Sequence, residues 1–93
     1  MERLTDSDID ARLAALGPAW HREGDTIVGE VERADFAAVI ALVDEIAAAA
    51  ERADHHPDLL VHRYKRLRVT LSTHSAGGIT EKDFALASVI DAL

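Results

Sequence analysis

The chain contains no cysteine, so neither disulfide bonding nor thiolate chemistry is open to it. Aromatic side chains are nearly absent. Trp20, Phe36, Tyr64 and Phe84 are the full set, and a core must be assembled from Ala, Val, Leu and Ile. Positive charge is scarce: 10 Lys and Arg stand against 17 Asp and Glu, a formal net charge of −7. Such a surface repels nucleic acid and anionic lipid. Long apolar runs are missing as well. The longest are broken by Asp44 and Glu45, far short of the ~20 residues needed to span a bilayer. The segment Met1-Glu2-Arg3-Leu4-Thr5-Asp6 has no apolar signal region, and a cytoplasmic protein is the expectation.

What is present suits a globular protein. With 93 residues, one domain covering 1–93 is expected. A hydrophobic fraction of 48% beside 29% charged residues is too apolar for a disordered chain. So small a domain has a thin stability margin, which association into oligomers would widen. The few basic residues gather at Arg63, Lys65, Arg66 and Arg68. Their alternation with apolar residues reads as the solvated face of a strand rather than a phosphate-binding patch.

Along the chain, Thr5-Asp6-Ser7-Asp8 has the form of a capping box, and a short helix to about Leu16 ends at Gly17-Pro18. Trp20 begins an extended stretch, Glu23-Gly24-Asp25 reads as a turn, and Thr26 to Glu32 as the returning strand. Asp35 is placed to cap a long helix reaching about Ala53. On it Phe36, Val39, Ile40, Val43, Ile46, Ala47 and Ala50 share one side at helical spacing. Ala38, Ala41, Leu42 and Ala49 widen that surface beyond one core contact, which suits either an Ala-rich buried helix or a helix that also meets a second subunit.

Pro57 ends the helical region after His55-His56. Leu59 to Tyr64 reads as a strand. Leu67, Val69 and Leu71 then alternate with Arg66, Arg68, Thr70 and Ser72 as a half-buried strand. Ser75-Ala76-Gly77-Gly78 is a loop, and Thr80 to Asp83 caps a last helix carrying Phe84, Leu86, Val89 and Ile90. The order α-β-β-α-β-β-α predicts an α+β two-layer sandwich, a four-stranded antiparallel sheet with its helices on one face.

His55, His56 and His74 lie at the ends of these elements, where chemistry is commonly placed. Imidazole can both donate and accept a proton near neutral pH. Three other readings compete. Two adjacent histidines at a helix end can simply complement the helix dipole. Three histidines can hold zinc, as in a zinc hydrolase, with Asp54, Asp58 or Asp83 contributing, but no ligand pattern such as HExxH is present. Ser72, Thr73 and Ser75 flank His74, yet no nucleophile elbow accompanies them.

The spacing Glu51-x-x-x-His55-His56-Pro57, then Tyr64, His74 and Asp83, resembles the signature of the pterin-4a-carbinolamine dehydratases. Val69-Thr70-Leu71-Ser72-Thr73-His74, Ala76-Gly77-Gly78-Ile79-Thr80 and Asp83-Phe84-Ala85-Leu86-Ala87 are similar to that family almost residue for residue. Trp20 and the helix of Phe36 occupy matching places. Leu59 and Leu60 depart from the pattern, since members often carry aromatics just after His-His-Pro.

The resemblance implies a hydro-lyase of tetrahydrobiopterin recycling that eliminates water from 4a-hydroxytetrahydropterin to give the quinonoid dihydropterin, with no metal and no cofactor. It implies His55, His56, His74 and Asp83 as catalytic residues, and Glu51, Pro57, Tyr64, Ser72, Thr73 and Trp20 around the pterin. His55 and His74 are expected to carry the proton transfers and His56 to bind the ring, the two adjacent histidines pointing apart. Asp83 is expected to cap its helix and to orient a histidine, His74. A homo-oligomer, most simply a dimer, is expected. The competing reading is a non-enzymatic module for pterin binding or for protein assembly and dimerisation.

Overall fold

The computed structural model describes residues 2–93. Helix α1 spans Asp6–Ala15, and Thr5 caps it by accepting the Asp8 amide. Strands β1 (Trp20–Glu23) and β2 (Thr26–Glu32) form a hairpin whose turn places Gly24 at φ 60°, a conformation that glycine adopts without cost. Helix α2 covers Phe36–Ala53, with Asp35 accepting the Ala38 amide at 2.8 Å. Strands β3 (Asp58–His62) and β4 (Arg66–Leu71) make the second hairpin. A single 3₁₀ turn, His74–Ala76, opens the segment expected to be a loop, and α3 closes the chain at Glu81–Asp91.

The sheet is antiparallel throughout, in the order β1-β2-β4-β3. Strand side chains alternate between its two faces. Ile27, Leu67, Val69 and Leu71 point to one face and join Ile9 of α1, Val39, Leu42 and Ile46 of α2, and Leu86 and Ile90 of α3 in one core. All three helices therefore cover the same face, as the element order requires. The other face is open. It carries Glu30, Glu32, Arg66, Arg68 and His62, with Arg68 paired to Glu23 at 2.7 Å and Arg66 to Glu32 at 3.2 Å. Of the basic cluster, Arg66 and Arg68 thus belong to the solvated face of β4, while Arg63 and Lys65 lie in the turn before it.

Three expectations require correction. Strand β3 stops at His62 rather than Tyr64, because Arg63 and Tyr64 take left-handed φ values of 51° and 54° to turn the chain. The buried stripe of α2 is Val39, Leu42, Ile46, Ala49 and Ala50, whereas Phe36, Ile40 and Ala47 are exposed. An Ala-rich helix carries apolar side chains on too much of its circumference for spacing to single out the inner stripe. Trp20, expected beside the substrate, belongs to the core. Its indole lies over Gly29, where an added Cβ would come within 2.9 Å of the ring, and its Nε1 donates to Asp91 at 2.9 Å.

Candidate active site

Helix α2 ends at Asp54, whose left-handed φ of 49° turns the chain out of the helix. The His55 amide still reaches the Ala50 carbonyl at 3.1 Å. In the extended residues that follow, neighbouring side chains point to opposite sides. His55 turns inward and is 9% exposed; His56 turns out to solvent.

Inside, His55 Nε2 lies 2.6 Å from Asp83 Oδ1. Asp83 is fully buried in the first turn of α3, where it closes a capping box with Thr80. Counting hydrogens fixes the direction of each bond. Thr80 Oγ1 accepts from the Lys82 amide and has one hydrogen, which goes to Thr73 Oγ1 at 2.8 Å. The Thr73 hydroxyl donates to Asp83 Oδ2 at 2.9 Å, and the Thr80 amide donates to the same oxygen at 2.9 Å. With Asp83 as a carboxylate, Oδ1 remains to accept from His55 Nε2–H, so Nδ1 is the free ring nitrogen. Every buried side-chain polar atom among the described residues has a partner, as a buried polar network must to be stable.

This arrangement corrects one expectation: Asp83 orients His55, not His74. The Thr73 side chain bonds inward to Asp83 and Thr80. The capping role expected of Asp83 holds beside its bond to His55.

His56 and His74 meet elsewhere, in a cleft of about 210 Å³ at one end of the open face. Its walls are Thr26, His56, Asp58, Thr70, Ser72 and His74. Register explains the grouping, since Asp58 pairs with Thr70 and Thr70 with Val28. His74 enters from the 3₁₀ turn after β4, which the Thr73–Gly78 bridge pins in place. The Ser72 hydroxyl donates to the Asp25 carbonyl at 3.1 Å. Glu51 Oε1 stands 3.7 Å from His56 Nε2 at the rim. Pro57 joins His56 to Asp58 and is half-buried.

Two residues expected at the substrate lie away from this cleft. Trp20 is on the opposite face of the sheet. Tyr64 occupies the β3–β4 turn, beyond the end of β3 at His62, which is itself four residue steps along the strand from Asp58, or about 13 Å at ~3.3 Å per residue. Its ring is exposed and lies 5.9 Å from Lys65 Nζ. His55 lines a different cavity, of about 470 Å³ between α2 and α3, with Ala49, Arg52, Lys82 and Leu86 among its walls. Asp58, Thr26 and Thr70 were not singled out as substrate residues by sequence reasoning. The alternation of Arg66 to Ser72 already put Thr70 on the solvated face, but only the β3 register adds Asp58.

No three His, Asp or Glu side chains converge as a metal ligand set among the described residues, and among them no helix is long and apolar enough to cross a membrane. Chemically, the cleft offers two solvent-reaching imidazoles, three hydroxyls and one carboxylate. That set can move protons on a small polar ligand.

A family profile described as Pterin 4 alpha carbinolamine dehydratase matches residues 2–93. A protein of Acidobacterium capsulatum bearing the same family name is 48% identical over 93 residues, covering 100% of this chain and 99% of its own. One from Nocardia farcinica is 51% identical over 92 residues, covering 99% and 95%. The crystal structure of a transcriptional coactivator/pterin dehydratase from Brucella melitensis superimposes with a TM-score of 0.91 at 34% identity, covering 98% of this chain and 97% of that one. A pterin dehydratase-like protein described as a RuBisCO assembly factor in the alpha-carboxysome shares the fold, with a TM-score of 0.66 at 23% identity over 80% of this chain and 87% of its own.

Proposed function

This chain belongs to the pterin-4a-carbinolamine dehydratase family, and we propose that it dehydrates a 4a-hydroxytetrahydropterin to the quinonoid dihydropterin. The observation that carries the proposal is the meeting of His56 and His74 in one cleft. Hydroxide is a poor leaving group. One histidine, as imidazolium, gives a proton to the C4a oxygen; the C4a–O bond breaks and water departs. The other, as neutral imidazole, takes the proton from N5, and that electron pair forms the C4a=N5 bond. One proton is given and one taken, with no change of oxidation state. Both imidazoles reach solvent and exchange protons with it between turnovers.

In this reading the acid–base pair is His56 and His74, and the role expected of His55 passes to His56. His55 becomes a positioning residue. Its bond to Asp83 fixes the end of α2, and with it the direction in which His56 leaves the helix. Glu51 orients the His56 ring at the rim. The decisive assay is turnover on a 4a-hydroxytetrahydropterin measured above the uncatalysed dehydration.

The protein acts as a homo-oligomer, most simply a two-fold dimer in the cytoplasm. Phe36 and Ile40 on α2 are 53% and 38% exposed, and with Val43 and Ala47 they form a second apolar stripe beside the buried one. That stripe also favours a second reading, a non-enzymatic module that meets a protein partner; the Brucella relative is described as a transcriptional coactivator as well as a pterin dehydratase. A folded protein without turnover would favour assembly.

A further inference from the structure

We propose that Asp58 selects the substrate by its 2-amino-4-oxo pyrimidine edge, holding the end of the pterin remote from the reacting C4a–N5 side. The proposal rests on the cleft being the pterin site. Asp58 is the first residue of β3, and its side chain is the one carboxylate in the cleft wall. It is exposed, and among the described residues no side chain bonds to it, unlike Glu23, Glu30 and Glu32, which are committed to arginines or histidines on the same face. It stands two residues beyond His56 and directly across the ladder from Thr70. A ring within reach of both histidines therefore has Asp58 beside it.

The chemistry matches at that edge. N3–H and the exocyclic 2-amino group are adjacent, nearly parallel donors. A carboxylate presents two acceptors in the same fork, the geometry that makes guanidinium–carboxylate pairs strong. The Thr70 hydroxyl can serve the 4-oxo group, and the Thr26 and Ser72 oxygens, whose hydrogens go to the Glu23 and Asp25 carbonyls, can only accept; none of the three offers that fork. The size of the cleft agrees: about 210 Å³ is below the roughly 300–1,000 Å³ that encloses a drug-sized ligand. A fused bicyclic ring enters, and its side chain stays in solvent. Recognition must then come from the ring edge. A 2-oxo analogue would turn an oxygen toward the carboxylate and be rejected, as sites built around a hydrogen bond reject ligands that lack its partner.

The test is equilibrium binding, by fluorescence quenching, of oxidised pterin and of its 2-oxo analogue lumazine to the wild type, Asp58→Asn and Glu51→Gln. Asp58 is exposed and unbonded, so the isosteric change leaves the fold intact. The wild type should prefer pterin by about ten- to a hundredfold, the range of a charge-assisted hydrogen bond. Asp58→Asn should lose most of that preference through weaker pterin binding, with KM for the carbinolamine raised and kcat retained. Glu51→Gln should keep the preference. An unchanged preference in Asp58→Asn, or its loss in Glu51→Gln instead, overturns the proposal. A wild type that dehydrates the carbinolamine without distinguishing the two ligands overturns the Asp58 assignment alone. One that neither dehydrates nor binds either ligand overturns the dehydratase reading with it.

Discussion

Asp83 and His55 are 28 residues apart in sequence, yet His55 Nε2 rests 2.6 Å from Asp83 Oδ1 in the interior. The bond ties the end of α2 to the start of α3. Thr73 Oγ1, 2.9 Å from the other carboxylate oxygen, ties both to the strand exit that delivers His74. The cleft and this network thus share a backbone although they occupy different sides of it. Removing the carboxylate strands a buried imidazole and two donors. Asp83→Ala should be strongly destabilising, at about 1–3 kcal/mol for a buried donor left without its acceptor, with three such donors affected. Asp83→Asn, which keeps shape and one acceptor, should cost less. Urea unfolding of both variants checks the order.

Thr80 caps α3 and also gives its hydroxyl hydrogen to Thr73. Its replacement by alanine should cost about 2 kcal/mol, the upper end of the range for an N-cap, because a second buried hydroxyl loses its donor. A denaturation midpoint equal to that of the wild type would place the cap elsewhere.

The exposed stripe of α2 predicts association. Phe36→Asp with Ile40→Asp should shift the light-scattering mass from a multiple of the monomer to the monomer while leaving the fold intact, since neither side chain is in the core. A wild type that is monomeric at micromolar concentration would remove the basis for the oligomer.

Arg12 joins α1 to α3 through both oxygens of Glu81. That hydrogen bond, helped by the charge of Arg12 and opposed by partial burial, holds the Glu81 carboxyl below its ordinary value of 4.5. A carboxyl whose folded value is depressed adds stability above its unfolded value and loses it as pH falls through the folded one. The stability difference between wild type and Glu81→Gln should therefore be present at pH 7, shrink below about pH 4.5, and shrink with added salt at neutral pH, since both groups are near the surface. Unfolding midpoints from pH 3 to 7 follow it.

Much of the fold was legible because its signals are local. Asp35 and Thr80 announce helix starts, and the alternation from Arg66 to Ser72 announces a half-buried strand with its charged side outward. The inner stripe of α2 was hidden because alanine is compatible with any side of a helix. The early end of β3 was hidden because Arg63 and Tyr64 take left-handed φ without the glycine or asparagine that marks such turns. At the candidate site, the pattern named the histidines but not their company. Which histidine meets Asp83, and that Asp58 stands beside His56 and His74, depends on strand register and helix packing, which link distant parts of the chain.

That turn supplies a further check on Tyr64. A non-glycine residue in the left-handed region costs about 1–2 kcal/mol, and Tyr64 is mostly exposed. Tyr64→Asn, which tolerates the conformation, should raise stability by up to about 1 kcal/mol and leave kcat/KM unchanged. A large fall in kcat/KM would return Tyr64 to the substrate.

The proposed mechanism depends most directly on His74. It should be tested by steady-state dehydration of a 4a-hydroxytetrahydropterin by His74→Ala, with His56→Ala and His55→Ala assayed beside it and the uncatalysed rate subtracted. Loss of one general acid or base lowers turnover by ~10²–10⁴, compressed here by the spontaneous reaction. His74→Ala and His56→Ala should each lose most of kcat, while His55→Ala should lose stability first and recover much of its activity at low temperature. Wild-type turnover in His74→Ala would contradict the mechanism.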